Sequence, residues 1–595
     1  MERDDWEEIR RTSQQQEAAQ KKRYDQCAFY RICAVLCAVG FGIAGYHLAF
    51  WLDYALAALA AAAFVGLVKW HDRIEDAMAW QRAQKETAQA YLDRFGEEWK
   101  QTGDPGEEYQ SETFPQGKDL DLFGPHSLYQ YICMASTPFG RDQLAQWLKE
   151  GAPGGEDLAQ RQQAVRELAG EREFLLRFQT AARAEQKEKG QAPTQALEGF
   201  LQAVRQPGGE KAGLRLLRWA LPAVTLAAVA LALLGVPRAA GAASLLCGLQ
   251  LFFALLAYHW NEKQIRPVHR FQQRVAPYRR LAEAVEAMEF QSAELVQLRQ
   301  TLQGAGDAMK ELEALSESAS ARYNFVAFVL YNGLFLHDFH CVARIQAWRR
   351  RYGERLEGWL QALGQMEALI SLGTLCHCKA VWCFPQISQS ERPFLAAKDI
   401  RHPLIGEDKA VGNDFDLCQS ICIITGSNMS GKTTFLRTIG VNLTLAYAGG
   451  AVAARECAAS TMAICTSMRV EDDVSRGIST FYAELLRIKS IIDQSWAGAP
   501  MLVLIDEIYR GTNSNDRITG ARQTICRLGQ PHILTMVTTH DFELCDLEQE
   551  PGVRAVNYHF EEQYTEDSIC FDYKIKKGRC RTTNAQHLLR LAGIL

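Results

Sequence analysis

Four apolar runs interrupt a chain that is otherwise polar and rich in helix-forming residues. They are Ile32–Leu52, the alanine-rich Tyr54–Val68, Trp219–Val236 and Ala239–Tyr258. A helix needs roughly 20 apolar residues to cross a bilayer's hydrocarbon, with about 17 as the lower end. The first, third and fourth runs meet that length. The second meets it with Lys69 and Trp70 as interfacial anchors. Asp53 separates the first pair, and Pro237 and Arg238 the second, so each pair predicts a tight helical hairpin. Lys21, Lys22, Arg23 and Arg31 precede the first hairpin; Lys69 and Arg73 follow it. Arg215 and Arg218 precede the second; Lys263, Arg266 and Arg270 follow it. Basic residues stay on the cytoplasmic side, so both hairpins are expected to begin and end there. Buried helices of a soluble bundle are the alternative, and the lengths and flanking charges favour the membrane. A fifth stretch, Phe325–Leu336, is too short to span and predicts a buried core helix.

Between and after these runs the pattern is helical. Leu281, Val285 and Met288 follow the i, i+4, i+7 spacing of an amphipathic helix. From Arg266 to Gly373, turn signals are sparse and long helices are expected. Breaks are expected at Pro207, Gly208, Gly209 and Gly213, and across Gly151–Gly155. The expected domains are 1–110 (N-terminus, first hairpin and linker), 111–390 (helical, containing the second hairpin) and 391–595 (α/β).

The net charge of -5 announces no global nucleic-acid footprint, so any such contact must be local. The 17 cysteines are scattered singly, which suits reduced thiols facing a cytosol better than a disulfide scaffold. Cys376, His377, Cys378 and Cys383 lack the paired spacing usual for zinc and predict core residues. The charged start, MERDDWEEIRR, does not resemble a cleavable signal peptide.

Candidate chemistry lies near the C-terminus. Ile421–Ile424 is a short apolar strand. Gly426, Ser427, Asn428, Met429, Ser430, Gly431, Lys432, Thr433 and Thr434 follow as G-x4-G-K-T-T, and a helical pattern comes next. Strand, glycine loop and helix form the P-loop context: successive backbone N–H groups cradle a phosphate at a positive helix end. Lys432 is expected to reach the β- and γ-phosphates of ATP, and Thr433 to hold Mg²⁺. Met501–Glu507 is an apolar strand ending in two carboxylates. Asp506 suits the Mg²⁺ role and Glu507 suits orienting or deprotonating the attacking water. A second strand, Ile533–Val537, ends in Thr538, Thr539 and His540, and a histidine there can sense a γ-phosphate.

These segments resemble the MutS family. TGSNMSGKTT (425–434) is similar to its P-loop, DDVSRGISTFYAE (472–484) to its signature segment, DEIYRGTNSNDR (506–517) to its Walker B and switch loop, and TTHD (538–541) to its histidine switch. RHPL (401–404) and VGND (411–414) resemble the entry to that domain. More weakly, Thr137, Gly140, Arg141, Leu144, Trp147 and Leu148 resemble the start of the family's core domain. An ordinary amphipathic helix would fit that last stretch almost as well. Taken with the apolar runs, the resemblance predicts a multidomain chain: two transmembrane hairpins, read from those runs, then a helical MutS-like core and lever region and a C-terminal α/β P-loop NTPase of ABC/MutS type, both implied by the resemblance. It implies a composite nucleotide site in a homodimer, with Ser479, Ser475 and Gly477 of one copy facing the other's γ-phosphate and Asn413 near the adenine. Probing of DNA, mismatched or structured, is the implied task.

Departures from the family pattern are expected too. Membrane helices stand where the mismatch-recognition domain would lie, and Phe95-Gly96-Glu97, in a charged and helical linker, matches its wedge motif by coincidence. No full clamp domain is expected. The arginines Arg349–Arg351 suit a solvated helix face better than phosphate contacts. The ending LRLAGIL leaves no helix-turn-helix dimerisation module. The expectation is an ATPase of the mismatch-repair type, multi-pass in the bacterial inner membrane with its other domains cytoplasmic. An ATP-driven switch acting on a protein partner without DNA is the alternative. Transport fits poorly, because the hairpins carry no intramembrane charge.

Overall fold

The computed structural model describes residues 3–48, 50–151, 154–184, 200–202, 204, 212–469, 480–509, 514–564 and 569–580. Helices α1 (Arg3–Leu48) and α2 (Trp51–Leu92) form an antiparallel hairpin. Its register follows from four contacts: Trp6 stacks on Tyr91, Glu17 pairs with Arg82 and Lys85, Tyr24 packs on His71, and the Cys27 thiol faces the Leu67 carbonyl. With α1 ending at Leu48 and α2 starting at Trp51, Asp53 is no break: it sits in the first turn of α2, where a carboxylate favours the positive helix end. That shift gives Trp51 and Leu52 to the second run, and both helices now carry an apolar window long enough to span. The N-terminal residues are no separate tail. They continue α1 beyond its apolar half and form a polar stalk with the second half of α2.

Helices α3 (Pro138–Lys149), α4 (Gly155–Gly170) and α5 (Arg172–Arg183) follow. The second hairpin is α6 (Ala212–Leu233) and α7 (Ala239–Leu256), joined by a turn in which Gly235 and Arg238 take left-handed backbone angles. Within it, buried Gln250 donates to the Thr225 hydroxyl, a polar tie between helices that are otherwise apolar. Gly213 lies inside α6 and breaks nothing, whereas Gly151 and Gly154 do flank a break. Pro207, Gly208 and Gly209 lie outside the described residues. Among the described residues, four helices (α1, α2, α6, α7) are long and apolar enough to cross a membrane.

Next come α8 (Tyr258–Glu286), α9 (Ala293–Leu302), α10 (Ala305–Ser320), α11 (Phe325–Phe335) and α12 (His337–Leu372). Leu281 and Val285 are buried on α8, while Met288 falls just past its end. Three expectations need correction here. The α11 helix is not a buried core element: Phe325, Val326, Leu330, Tyr331 and Phe335 are exposed, and its buried stripe faces the second hairpin. Arg349 is buried and bonds Gln264, so only Arg350 and Arg351 belong to a solvated face. Phe95–Glu97 form a turn after α2, not a helical linker. His377 and Cys378 are buried, with the rings of Trp6 and Tyr91 edge-on to His377.

The C-terminal part contains two sheets. The smaller has the order β1 (Gln386–Ser388), β5 (Glu456–Ser460), β2 (Leu395–Ile400), β3 (Asn413–Leu417). The larger runs β10 (Ile569–Lys577), β9 (Ala555–Tyr564), β4 (Ile421–Thr425), β8 (Ile533–Thr538), β7 (Met501–Asp506), β6 (Ala463–Ser467). All its pairings are parallel except β9 with β10. Strands β4 and β8 are buried along their whole length, as strands covered on both faces must be. Helices α13 (Lys432–Ala448), α14 (Thr480–Ser495) and α15 (Ser514–Leu528) cover the sheet.

The helical region meets the α/β part where α3 packs on α13 and the Leu372 end of α12 reaches Gly450. Thr137 caps α3 by accepting from the Gly140 N–H. The buried Glu367 carboxylate of α12 accepts from the backbone N–H groups of Ser136 and Thr137 and from the Thr137 hydroxyl. Gly140 leaves room for it: a Cβ there would sit 2.4 Å from Glu367 Oε2. Gly364 does the same for the Phe139 backbone, which a Cβ would meet at 2.6 Å. The T-x-x-G-R stretch is thus a capped helix crossing α12 at close range. An amphipathic surface helix would need neither glycine.

Candidate nucleotide site

Strand β4 ends in the glycine loop, and α13 starts at Lys432 directly after it. Gly426 and Gly431 both have positive φ, at 151° and 104°. Gly426 also faces the Phe560 carbonyl, which a Cβ would approach to 2.9 Å. Such a loop needs residues without a side chain at its two ends. Asn428, Met429 and Thr434 are exposed, whereas Ser430 is buried. Ser427 donates to Glu562 on β9 at 2.9 Å, which ties the loop to the neighbouring strand. The Lys432 ammonium donates to the carbonyls of Gly426 (2.9 Å) and Ser427 (2.8 Å). Burial holds its pKa below the ordinary lysine value, against the pull of Glu507 and Asp506.

Three strand ends converge beside the loop. Thr433 Oγ1 lies 3.0 and 2.9 Å from the two Asp506 oxygens, and Thr538 donates to Asp506 at 2.6 Å. Glu507 has φ of 52°, and its N–H bonds the Thr538 carbonyl and hydroxyl. This left-handed geometry turns its carboxylate out of the strand line towards His540, whose Nε2 lies 3.2 Å from Glu507 Oε1. Asp541, next in the chain, holds Arg517 in a two-pronged pair at 2.8 and 2.7 Å. A hydroxyl and a carboxylate in contact at the end of a glycine loop are an oxygen donor set, which fits Mg²⁺ with its remaining positions on water and phosphate.

Asn413, by contrast, is 7% exposed, and its amide bonds the Tyr573 carbonyl (3.1 Å) and the Ile575 N–H (2.9 Å). Its side chain pins β3 to β10. Ser475, Gly477 and Ser479 lie outside the described residues, as do 510–513 of the switch loop. Glu484, at the end of the signature segment, accepts from the Tyr509 N–H at 2.6 Å and so joins α14 to the loop after Glu507.

Two positioning residues were not legible in advance. Asp119 reaches in from the helical region and is 1% exposed. It accepts from Thr466 Oγ1 (2.6 Å), the N–H groups of Met468 (3.3 Å) and Arg469 (3.0 Å), and Arg487 (2.6 Å). It therefore ties the end of β6 and the residues just after it to α14. Tyr573 lies over Gly431, and a Cβ there would meet its ring at 3.2 Å. Neither residue belongs to a spaced pattern, so no sequence signal marks it.

An open, largely parallel sheet with a glycine loop at the carboxyl end of β4 and acidic residues at the end of β7, one strand removed, is an α/β fold with the layout expected of a P-loop domain. Residues 422–594 match MutS domain V. A DNA mismatch repair protein MutS from Protochlamydia amoebophila is 32% identical over 298 residues, 48% of this chain and 33% of that protein. Those from Aquifex pyrophilus and Natronomonas pharaonis are 29% identical over 307 and 247 residues. In the Aquifex case this covers 50% of this chain and 34% of that protein; in the Natronomonas case, 40% and 28%. The likeness to the MutS family rests on domain V and the segments these relatives match, and the chain spans about a third of the length of these relatives.

Proposed function

We propose that this chain is a membrane-anchored ATPase whose hydrolysis is coupled to binding of mismatched or otherwise structured DNA. The observation that carries the ATPase reading is the convergence of Lys432, Thr433, Asp506, Glu507 and His540 at one loop. The loop N–H groups and Lys432 bind the phosphates and offset their charge. Thr433 and Asp506 would hold Mg²⁺, which would supply positive charge to offset that of the phosphates. Glu507 orients a water for attack on the γ-phosphorus and takes its proton as the bond to the β–γ bridging oxygen breaks; ADP leaves with that oxygen. His540, bonded to Glu507, holds that carboxylate in line. Ser427 to Ser430 and Thr434 complete the cradle, Asn413 positions the β3 edge near the base, and Ser479 of a second copy closes the site in a homodimer. The DNA part rests on the relatives, which are named as DNA mismatch repair proteins.

A second reading, a membrane switch acting on a protein partner without DNA, is favoured by one observation. The 36-residue α12 runs from the second hairpin to the nucleotide domain. At one end His340 packs on Trp219 and the Arg218 carbonyl, and at the other Leu372 touches Gly450. The test is the ATPase rate of the purified full chain with no DNA, duplex, mismatched and branched DNA. Glu507→Gln should lower turnover by about 10²-fold or more while nucleotide still binds. If DNA changes the rate or nucleotide affinity, the first reading holds. Equal rates with every DNA, and no binding at moderate salt, leave the switch. An unaltered rate in Glu507→Gln sinks the ATPase assignment.

A further inference from the structure

The α11 helix, FVAFVLYNGLF, has no charged residue in 11 positions. Its buried residues Phe328, Asn332 and Gly333 form one stripe. Phe325, Val326, Leu330, Tyr331 and Phe335 cover the rest and are 42–79% exposed. A helix on a water-facing surface carries polar residues opposite its buried stripe; one that is apolar all round belongs in a core or in lipid. Protein covers only the stripe.

The neighbours of that stripe show where α11 lies. It packs on α7 and α6, the second candidate hairpin. Phe328 meets Tyr258, just past the end of α7. Gly333 abuts the carbonyl of Cys247, which a Cβ would approach to 3.9 Å. Cys247 is nine residues before Leu256, the last residue of α7. At ~1.5 Å per residue that is about 13 Å along the hairpin, close to the middle of a hydrocarbon core of ~30 Å. The helix itself is about 16 Å long, half a span. Exposed aromatic residues ring the same end of the hairpin: Trp219 opens the apolar part of α6, Tyr258 and Trp260 follow α7, and Tyr323 precedes α11. Such residues mark the level of lipid headgroups.

The charged residues flanking α11 are tied to each other and to that level. Buried Arg322, ahead of it, donates to the Tyr258 carbonyl (2.8 Å), lies over the Tyr258 ring and pairs with Glu262. It also pairs with Asp338, behind α11, whose carboxylate accepts from Asn332 of α11 at 3.2 Å. The charges are thus neutralised beneath the helix, and the chain turns by 83° into α12.

We propose that α11 enters the acyl-chain region of one leaflet as a half-span helix seated on the second hairpin, and that lipid covers its exposed face. The inference rests on the membrane reading of α6 and α7. It makes that end of α12 a rod fixed to the leaflet through Arg322 and Asp338.

The test uses the full chain in phosphatidylcholine–phosphatidylglycerol vesicles. A nitroxide is attached through p-acetylphenylalanine, which leaves the native cysteines untouched, at Leu330, Leu245 on the outer face of α7, or Trp496 in the α/β domain. Accessibility to oxygen and to a water-soluble nickel chelate is read by electron paramagnetic resonance, with elution volume as the check on folding. The expected result is an oxygen-to-nickel ratio at Leu330 that shifts to the value at Leu245 and away from that at Trp496. Nickel accessibility at Leu330 with Leu245 still in lipid overturns the proposal and leaves the spanning hairpin standing. Shielding of Leu330 from both reagents also overturns it, because protein, such as a second copy, then covers the face. Nickel accessibility at Leu245 sinks the membrane reading and the proposal with it.

Discussion

Asp119→Ala removes the acceptor that ties the end of β6 and the residues just after it to α14. The structure sets the size of the loss. Four donors face the carboxylate: Thr466 Oγ1, two backbone N–H groups and the Arg487 guanidinium. Removing one partner of a buried ion pair costs roughly 3–5 kcal/mol, because the other charge is left without compensation. The Arg487 side chain is 24% exposed and recovers part of its hydration, which points to the low end, about 3 kcal/mol. At 1.4 kcal/mol per decade, local opening becomes about 150-fold more frequent. The donors report this directly, since the Met468 and Arg469 amides exchange with solvent only when their bonds to Asp119 open. Hydrogen exchange read by mass spectrometry on peptides covering 463–469 should accelerate by that order, with β4 unchanged. Asp119→Asn keeps an acceptor of the same shape and should fall between. Exchange of Met468 and Arg469 within about threefold of wild type would refute the assigned role.

Glu367 makes a pH-dependent prediction. Burial raises its pKa to about 7, against hydrogen bonds from Thr137 and Ser136 that lower it. The folded state therefore keeps a proton that the unfolded chain gives up near pH 4.5, and stability falls as pH rises towards 7. The total is about 3 kcal/mol. In thermal melts at pH 5 and pH 8, Glu367→Gln should gain on wild type at the higher pH; parallel pH profiles would remove Glu367 as the cause. On the same helix, Gly364→Ala should destabilise by about 1–3 kcal/mol through its clash with the Phe139 backbone. Gly358→Ala, with nothing within 4 Å, should stabilise by up to about 1 kcal/mol. Melting temperatures that move in the same direction for both would contradict the close crossing of α3 and α12.

Much of the candidate site's arrangement was legible because it depends on local spacing. Gly426 to Thr433 run through one loop into the first turn of α13, and Asp506 and Glu507 are adjacent at one strand end, so a pattern read along the chain is also a pattern in space. The ends of the second hairpin were legible for the same reason, since Pro237 and Arg238 sit in its turn. The first turn was misplaced because Asp53 looked like a break. A single acid in the first turn of a helix is stabilised by the helix dipole and interrupts nothing. The stalk was hidden too: the Trp6–Tyr91 and Glu17–Arg82 pairs come from distant positions that no periodicity links.

The failure at Phe325–Leu336 has a different cause. Length separates a spanning helix from one that does not span, but it does not distinguish a protein core from a leaflet, because both reward the same composition. What separates them is which side chains remain uncovered once neighbours are in place, and here five of the large ones do. The polar residues around the stretch carry the remaining information. Arg322 and Asp338 are too far apart in sequence to read as a pair and too close to the apolar run to read as solvated ends. Their burial against Asn332 and the Tyr258 carbonyl ties α11 to α12 and to the end of the hairpin. At its far end α12 meets Thr137 and Gly450 through Glu367 and Leu372. A helix fixed at both ends by buried polar bonds and close backbone contacts transmits displacement and does not absorb it. A displacement that the α/β part imposed on α3 would therefore reach the second hairpin through α12.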